Sequence, residues 1–156
     1  MRNGTEGYGV PGRQTRSMII VDGFAGNGSV NTRIIRFVNL RVNMGDAIVY
    51  EDHQAFGGRF SITQDGIYAI GFSFLGDMTN ITAAITVNDT QPTISATGGA
   101  LTYAGGVRAI SMGSVDETGF CSYTGFLKAG DVVTAHGDEN NLGNNNTFIF
   151  NICRVC

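Results

Sequence analysis

Residues 59–74 decide the fold of this chain, and they read Arg-Phe-Ser-Ile-Thr-Gln-Asp-Gly-Ile-Tyr-Ala-Ile-Gly-Phe-Ser-Phe. Before the Gln-Asp-Gly turn, Phe60 and Ile62 alternate with polar neighbours. After the turn, apolar side chains again fall two residues apart, at Tyr68, Ile70, Phe72 and Phe74. Because side chains on a β-strand point alternately to its two faces, this pattern predicts two antiparallel strands joined by a tight turn.

The other face of the second strand carries only small residues, Ala69, Gly71 and Ser73. One face of this strand can therefore pack into a core, while the other lets a second surface approach closely. Strands with these properties are typical of a β-sandwich.

The same two-residue alternation recurs along the chain, and no helical period accompanies it. We predict about ten short antiparallel strands, at residues 18–21, 33–42, 48–50, 58–63, 67–75, 81–87, 107–112, 119–127, 132–136 and 147–152. In the strand at 81–87 we expect Thr82 and Thr86 to face outward, opposite Ile85. Residues 89–105 and 137–147 are predicted to be loops able to carry a contact, including a bound ligand or calcium.

Composition limits the class of protein. The 156 residues include 23 glycines and two prolines, which suits many short strands joined by tight turns. No apolar run reaches the length of about 18 residues that a membrane span needs. The first residues lack the apolar segment of a secretory signal, so we expect synthesis in a cytosol.

Charge divides the chain into two predicted parts, an extended basic arm at 1–17 and a single β-sandwich domain at 18–156. Residues 1–41 hold six arginines against two acids, whereas the rest holds four basic residues against eleven acids. The arm has too little apolar area to order itself against its chain entropy. We therefore predict that Arg2, Arg13 and Arg16 hold it along a partner surface.

Two motifs together resemble the jelly-roll superfamily of tumour necrosis factor and the globular head of complement. The first is Gly-Arg-Phe-Ser-Ile-Thr-Gln-Asp-Gly-Ile-Tyr at 58–68, which looks like the entry of that family into one of its central strands. The second is Phe-Leu-Lys-Ala-Gly-Asp-Val-Val at 126–133, which looks like a turn late in the same fold. The resemblance covers roughly residues 32–152. The sequence lacks a collagen-like stalk and closes with a different last strand.

The resemblance implies a ten-stranded jelly roll that assembles as a compact trimer with aromatic side chains near its threefold axis. Tyr68, Phe72, Phe120 and Phe148 are the candidates for that interface, with ordinary core packing as the alternative for each.

No pattern of catalytic, cofactor-binding or metal-binding residues is recognised, so we predict a protein that is not an enzyme. His53 and His136 lie far apart in turn-like segments rich in Asp, Asn and Gly. Asp138, Glu139 and Asn140 offer oxygen atoms of the kind calcium prefers, but without an EF-hand spacing. Three cysteines do not define a disulfide framework. We expect Cys121 to be buried, and Cys153 and Cys156 to be reduced thiols at the chain end.

The functional prediction is a virion structural protein, a homotrimeric decoration or cement protein of a phage capsid, located on the capsid surface. Its partners would be its own copies and a shell protein. The alternative is a recognition module for a receptor or glycan, such as a fibre tip, located at a cell surface or outside the cell. A spore or surface-layer protein is a third reading. A membrane partner is not expected, and nucleic acid is disfavoured because the body is acidic.

Overall fold

The computed structural model describes residues 16–31, 33–75, 81–89, 94–97, 100–103, 106–113, 118–137 and 147–156. Twelve strands lie in these ranges: β1 (Met18–Asp22), β2 (Asn39–Met44), β3 (Ile48–His53), β4 (Gly57–Ile62), β5 (Gly66–Leu75), β6 (Ile81–Val87), β7 (Ile94–Thr97), β8 (Ala100–Tyr103), β9 (Val107–Gly113), β10 (Thr118–Leu127), β11 (Val132–Gly137) and β12 (Thr147–Arg154). Within the described part of the chain, no helix is long and apolar enough to cross a membrane.

Ten strands form two five-stranded antiparallel sheets. The first sheet has the order β10-β5-β12-β1-β2, and the second has the order β3-β4-β11-β6-β9. β7 and β8 pair with each other as a separate hairpin. From β4 onward the chain passes repeatedly from one sheet to the other, as a jelly roll requires. The predicted all-β jelly roll of ten antiparallel strands is confirmed.

The core lies between the two sheets. The β5 side chains predicted to share one face are all buried in it, namely Tyr68, Ile70, Phe72 and Phe74. Phe60 of the second sheet stacks on Phe150 of the first, with ring centroids 4.5 Å apart. Because each aromatic ring buries roughly 150–250 Å², such contacts supply much of the apolar area that holds the sheets together.

The strand predicted at residues 33–42 is shorter than expected, because β2 begins only at Asn39. Residues before it wedge between β4 and β11 instead. The Ile35 N–H donates to Ala135 O at 2.9 Å, and Ile35 O accepts the Gly58 N–H at 2.9 Å. β4 and β11 pair directly only at two positions further along. A run of β-branched residues has the same composition in a regular strand and in such an insertion, so the sequence does not distinguish the two.

Two further predictions on the second sheet need correction. The region 89–105 is not simply a loop, because β7 and β8 pair within it. Thr82 and Thr86 lie opposite Ile85 on their strand, as predicted, but both are buried. The Thr86 and Thr134 hydroxyls form a buried hydrogen bond of 2.5 Å. Alternation alone does not tell an open strand face from a covered one.

The turn between β10 and β11 contains the motif at 126–133, and its hydrogen bonds explain why Asp and Gly occur there. Asp131 Oδ2 accepts the Lys128 N–H at 2.8 Å, and Asp131 Oδ1 accepts from Asn88 Nδ2 at 2.8 Å. Asn88 Oδ1 in turn accepts the Val132 N–H at 2.8 Å. Gly130 has φ of 97°, a left-handed value that glycine adopts without strain. The motif therefore ties this turn to the end of β6.

All three cysteines are free thiols. Cys121 is buried, as predicted, and burial raises the pKa of its thiol to about 12. Cys153 is half-buried and Cys156 is exposed.

Candidate assembly surface

The outer face of the first sheet turns away from the core, and we call it the open face. Register places Phe120, Ser73 and Ile149 in one row across the strands, because directly opposed residues project to the same side. Its described members are Phe120, Ser122, Thr124 and Phe126 on β10, Ile67, Ala69, Gly71 and Ser73 on β5, Ile149, Asn151 and Cys153 on β12, Met18, Ile20 and Asp22 on β1, and Asn39, Val42 and Met44 on β2. Among these residues, only Asp22 carries a formal charge.

Large side chains border a low central strip on the open face. Phe120 and Phe126 stand on the edge strand β10 and are 60% and 54% exposed. Ile149 on β12 is 43% exposed. The small residues of β5 lie between them, and a Cβ on Gly71 would come 2.6 Å from Asn151 Oδ1. The result is an interrupted aromatic ridge, in which the exposed Ser122 and Thr124 separate Phe120 from Phe126, beside a strip of small β5 residues where the Asn151 side chain covers Gly71.

An exposed aromatic ridge favours association. Burying a phenylalanine side chain contributes roughly 1.5–3 kcal/mol relative to leaving it in water. The edge strand β10 also presents backbone groups that no neighbouring strand pairs, since it is the last strand of its sheet. Exposed phenylalanines beside unpaired backbone groups are a feature that favours an interaction site over ordinary surface.

An ion pair lies at the margin of the open face. Asp22, at the end of β1, accepts hydrogen bonds from Arg41 Nε at 2.6 Å and from Asn39 Nδ2 at 2.7 Å. These two bonds favour the carboxylate and lower the pKa of Asp22. The charge therefore sits on the β1–β2 side, away from the ridge on β10.

The four predicted interface residues divide between core and surface. Tyr68, Phe72 and Phe148 are fully buried between the sheets and have no area to offer a second copy. Their assignment to an interface is corrected to the core alternative. Phe120 lies on the open face. Phe126, which the sequence analysis missed, could have been found from its spacing, because it lies an even number of residues from Phe120 on one strand.

The arm and loop predictions fall mostly outside the described residues. Arg2 and Arg13 lie outside them, whereas Arg16 is described and exposed. The next residue is anchored, because Ser17 Oγ accepts the Ala47 N–H at 3.0 Å. Asp138, Glu139 and Asn140 also lie outside the described residues.

The outer face of the second sheet is built differently. Residues 33–35 are inserted in the plane of this sheet between β4 and β11, where the Gly137 N–H donates to Arg33 O at 2.9 Å. The segment before them is fastened to the β3–β4 turn, where the Val30 N–H donates to Ala55 O at 2.8 Å. Beside this insertion lies a cavity of about 390 Å³. Its walls include the apolar side chains Ile34, Phe56 and Val132 and the polar side chains Arg59, Asn88 and Asp89.

Both histidines belong to this second sheet and have structural contacts. His53 Nδ1 accepts the N–H groups of Ala55 and Phe56, at 3.1 and 3.3 Å, and so shapes the β3–β4 turn. His136 is fully buried on β11, with Nδ1 3.1 Å from Arg33 O. The described ranges bring together no group of three His, Cys, Asp or Glu side chains that could hold a metal ion.

Comparison with known proteins finds solved structures of similar fold but no protein of similar sequence. No protein-family model and no curated protein matches the chain. Murine APRIL, crystallised at pH 8.0, has a TM-score of 0.58 at 12% identity, covering 90% of this chain and 99% of that one. The globular domain of zebrafish complement 1qA protein has a TM-score of 0.55 at 13% identity, covering 90% and 98%.

A viral structural protein has the same fold. PRD1 vertex protein P5 has a TM-score of 0.55 at 9% identity and covers 90% of this chain and 97% of that one. At these identities the likeness establishes the fold alone. The resemblance to the tumour necrosis factor and complement-head jelly roll is therefore confirmed as a resemblance of fold.

Proposed function

We propose that this protein is a non-enzymatic structural protein of a virion, a homotrimer that decorates or cements a capsid shell. The observation that carries the proposal is the open face, whose residues on β10, β5 and β12 are uncharged and include two exposed phenylalanines. The likeness of fold to PRD1 vertex protein P5 supports a place in a virion. The likeness to murine APRIL and to a complement globular domain leaves a structural or recognition role as the coarser conclusion.

The layout of the open face is compatible with a ring of three copies. The ridge of Phe120 and Phe126 and the strip of small β5 residues occupy different parts of one molecule. A ridge that packs on the strip of the next copy makes a head-to-tail contact, and such contacts close into a ring when the rotation allows. Of the four residues predicted for the interface, Phe120 is retained, and Phe126 and Ile149 are added.

The arm then gives the trimer its second contact. Arg2, Arg13 and Arg16 would reach from the acidic body to acidic groups of shell subunits. Each desolvated, charge-assisted hydrogen bond contributes about 1.5–3 kcal/mol. Repetition over three arms raises the avidity of one trimer for the shell without any new type of contact.

Deletion of residues 1–16, which removes the three arginines and keeps the anchored Ser17, tests the virion role directly. The truncated protein is expected to remain a folded trimer by sedimentation and to lose co-sedimentation with shell particles that lack the native protein. A full-length variant with Arg2, Arg13 and Arg16 changed to Gln keeps the arm length and isolates the effect of charge. Unchanged shell binding by the truncated protein would contradict the role of the arm, and failure of the full-length protein to bind would contradict the virion function.

A recognition module is the second candidate function. The cavity on the second sheet favours it, because a concave site with apolar walls and a few polar groups is the usual form of a ligand pocket. Binding of the isolated protein to glycans or to a receptor, without co-purification with shell particles, would favour this candidate over the first.

A further inference from the structure

We propose that the cavity on the second sheet binds a sugar acid, a monosaccharide ring that carries one carboxylate. The proposal does not rest on the virion function, because a shell protein and a recognition module can each carry such a site. It rests on the charge and shape of the cavity walls.

Arg59 supplies the group that recognises the carboxylate. It lies on β4, half-buried in the cavity wall, and has no ion pair or hydrogen bond among the described residues, although Glu51 faces it across the β3–β4 ladder. By contrast, Arg36 pairs with Asp52 at 2.8 Å and Arg41 pairs with Asp22 at 2.6 Å. A guanidinium that has no acidic partner and lies beside apolar walls suits a carboxylate, which it binds through two parallel hydrogen bonds.

Asp89 limits the charge that a ligand can bring. Its carboxylate also lines the cavity, where Asp89 Oδ2 accepts the Gly106 N–H at 3.2 Å. The two charged walls, Arg59 and Asp89, are of opposite sign, so an ion with two or more negative charges would meet repulsion as well as attraction. A ligand with one carboxylate and several hydroxyl donors satisfies both walls, because a carboxylate accepts several hydrogen bonds.

Phe56 and Val132 supply an apolar surface for the C–H groups of the ring. The His53 ring stacks on Phe56 at a centroid distance of 4.5 Å, and its Nδ1 accepts the Phe56 N–H. This contact orients Phe56 before any ligand binds. The volume of about 390 Å³ lies at the small end of ligand pockets, which span roughly 300–1,000 Å³, and suits a single ring.

The location of the cavity keeps it accessible. It opens on the outer side of the second sheet, whereas the open face lies on the outer side of the first. A trimer that buries the open face therefore leaves the cavity exposed to solvent, once per copy.

Titration of the full-length protein with D-glucuronate and with N-acetylneuraminate, followed by backbone amide NMR shifts, tests the site. Saturable shifts are expected at Asn31, Arg59 and Thr134. Galactose and acetate serve as probes that lack, respectively, the acid and the ring, and each is expected to bind at least about tenfold more weakly. A parallel titration with the same acids at the end of an oligosaccharide distinguishes a free acid from a glycan as the source.

Two variants and a matched control complete the test. Arg59→Gln should weaken binding of both acids about tenfold or more, and Phe56→Ala should weaken them while leaving acetate unchanged. Arg108→Gln removes an equally charged, exposed side chain from β9 of the same sheet and should change nothing. Absence of saturable shifts in the wild-type protein, equal binding of acetate, or equal losses in Arg59→Gln and Arg108→Gln would each overturn the proposal.

Discussion

The two outer faces of the sandwich differ in the formal charges they carry and in how deeply their residues are buried. The open face of the first sheet carries no formal charge on β10, β5 or β12, and Phe120 is 60% exposed there. The outer face of the second sheet carries Glu51, Arg59 and Arg108, yet its centre is buried, with Thr86 and His136 at 0% exposure. The second sheet thus carries charges around a buried centre, whereas the outward residues of β10, β5 and β12 in the first sheet carry none.

This difference shows that a jelly roll can use one sheet for packing within the chain and leave the outer face of the other sheet for contacts with other molecules. On the second sheet residues 33–35 fill the gap between β4 and β11 and complete the sheet. On the first sheet Phe120, Phe126 and Ile149 point outward and are exposed. Because burial of exposed apolar side chains favours association, the open face is where a second copy gains most.

The largest expected effect comes from a charge on the open face. Phe120→Glu should convert the proposed trimer to monomers at micromolar concentration, because each interface would have to bury a carboxylate, at an effective cost of several kcal/mol, and would lose a buried ring. Sedimentation velocity measures the change. Val49→Glu is the matched control, since Val49 is 52% exposed on the edge strand β3 of the second sheet. A trimer that survives the first variant, or dissociates equally in both, would break the comparison.

A smaller effect is expected from threonines on the two faces. Thr86→Val leaves the Thr134 hydroxyl buried without its 2.5 Å partner, and should lower the free energy of unfolding by about 1–3 kcal/mol. Adding Thr134→Val should recover part of this loss. Thr124→Val on the open face should change the free energy of unfolding by no more than about 0.5 kcal/mol. Urea unfolding measures the free energy of unfolding of each variant, made in the Phe120→Glu protein. Equal decreases for Thr86→Val and Thr124→Val would show that the two faces are buried to the same extent.

The smallest expected effect is a difference in thiol labelling. Cys153 lies on the open face and Cys156 beyond it, so a trimer should slow the reaction of Cys153 with iodoacetamide about tenfold relative to the Phe120→Glu variant. Cys156 should react at one rate in both. Cys121 should stay unlabelled at pH 8, because burial raises its pKa to about 12 and keeps the thiol protonated. Mass spectrometry of the labelled peptides gives the rates, and equal rates at Cys153 in the two proteins would argue against an interface there.

Much of the fold could be predicted because strand parity is a local property. The alternation at 59–74 placed Phe60 and Phe72 on core faces, and the strand at 81–87 has the bounds that its sequence indicates. The same reasoning failed at 33–38, since residues that insert between two strands have the composition of a strand. It also failed for the hairpin of β7 and β8, whose Gly- and Pro-punctuated sequence is typical of a loop.

The candidate site was predicted less well than the fold. Aromatic residues were singled out for the interface, yet Tyr68 and Phe148 lie in the core and Phe126 lies on the open face. All three lie in strands of a β-sandwich in which successive side chains alternate between the two faces, so the local pattern is the same for each. The cavity had no sequence signal, because Arg59, Asn88 and Thr134 come from three separate strands or strand ends.

The order of residues alone therefore determined that the chain forms short strands, where most of them begin and end, and which residues share a side of each strand. These follow from the two-residue period and from turn residues that act on their immediate neighbours. Only the tertiary structure decided which sides are covered, which are open, and that Arg59 and Asp89 line one cavity. Both depend on segments distant in sequence that come together, and no local pattern records which segment arrives there.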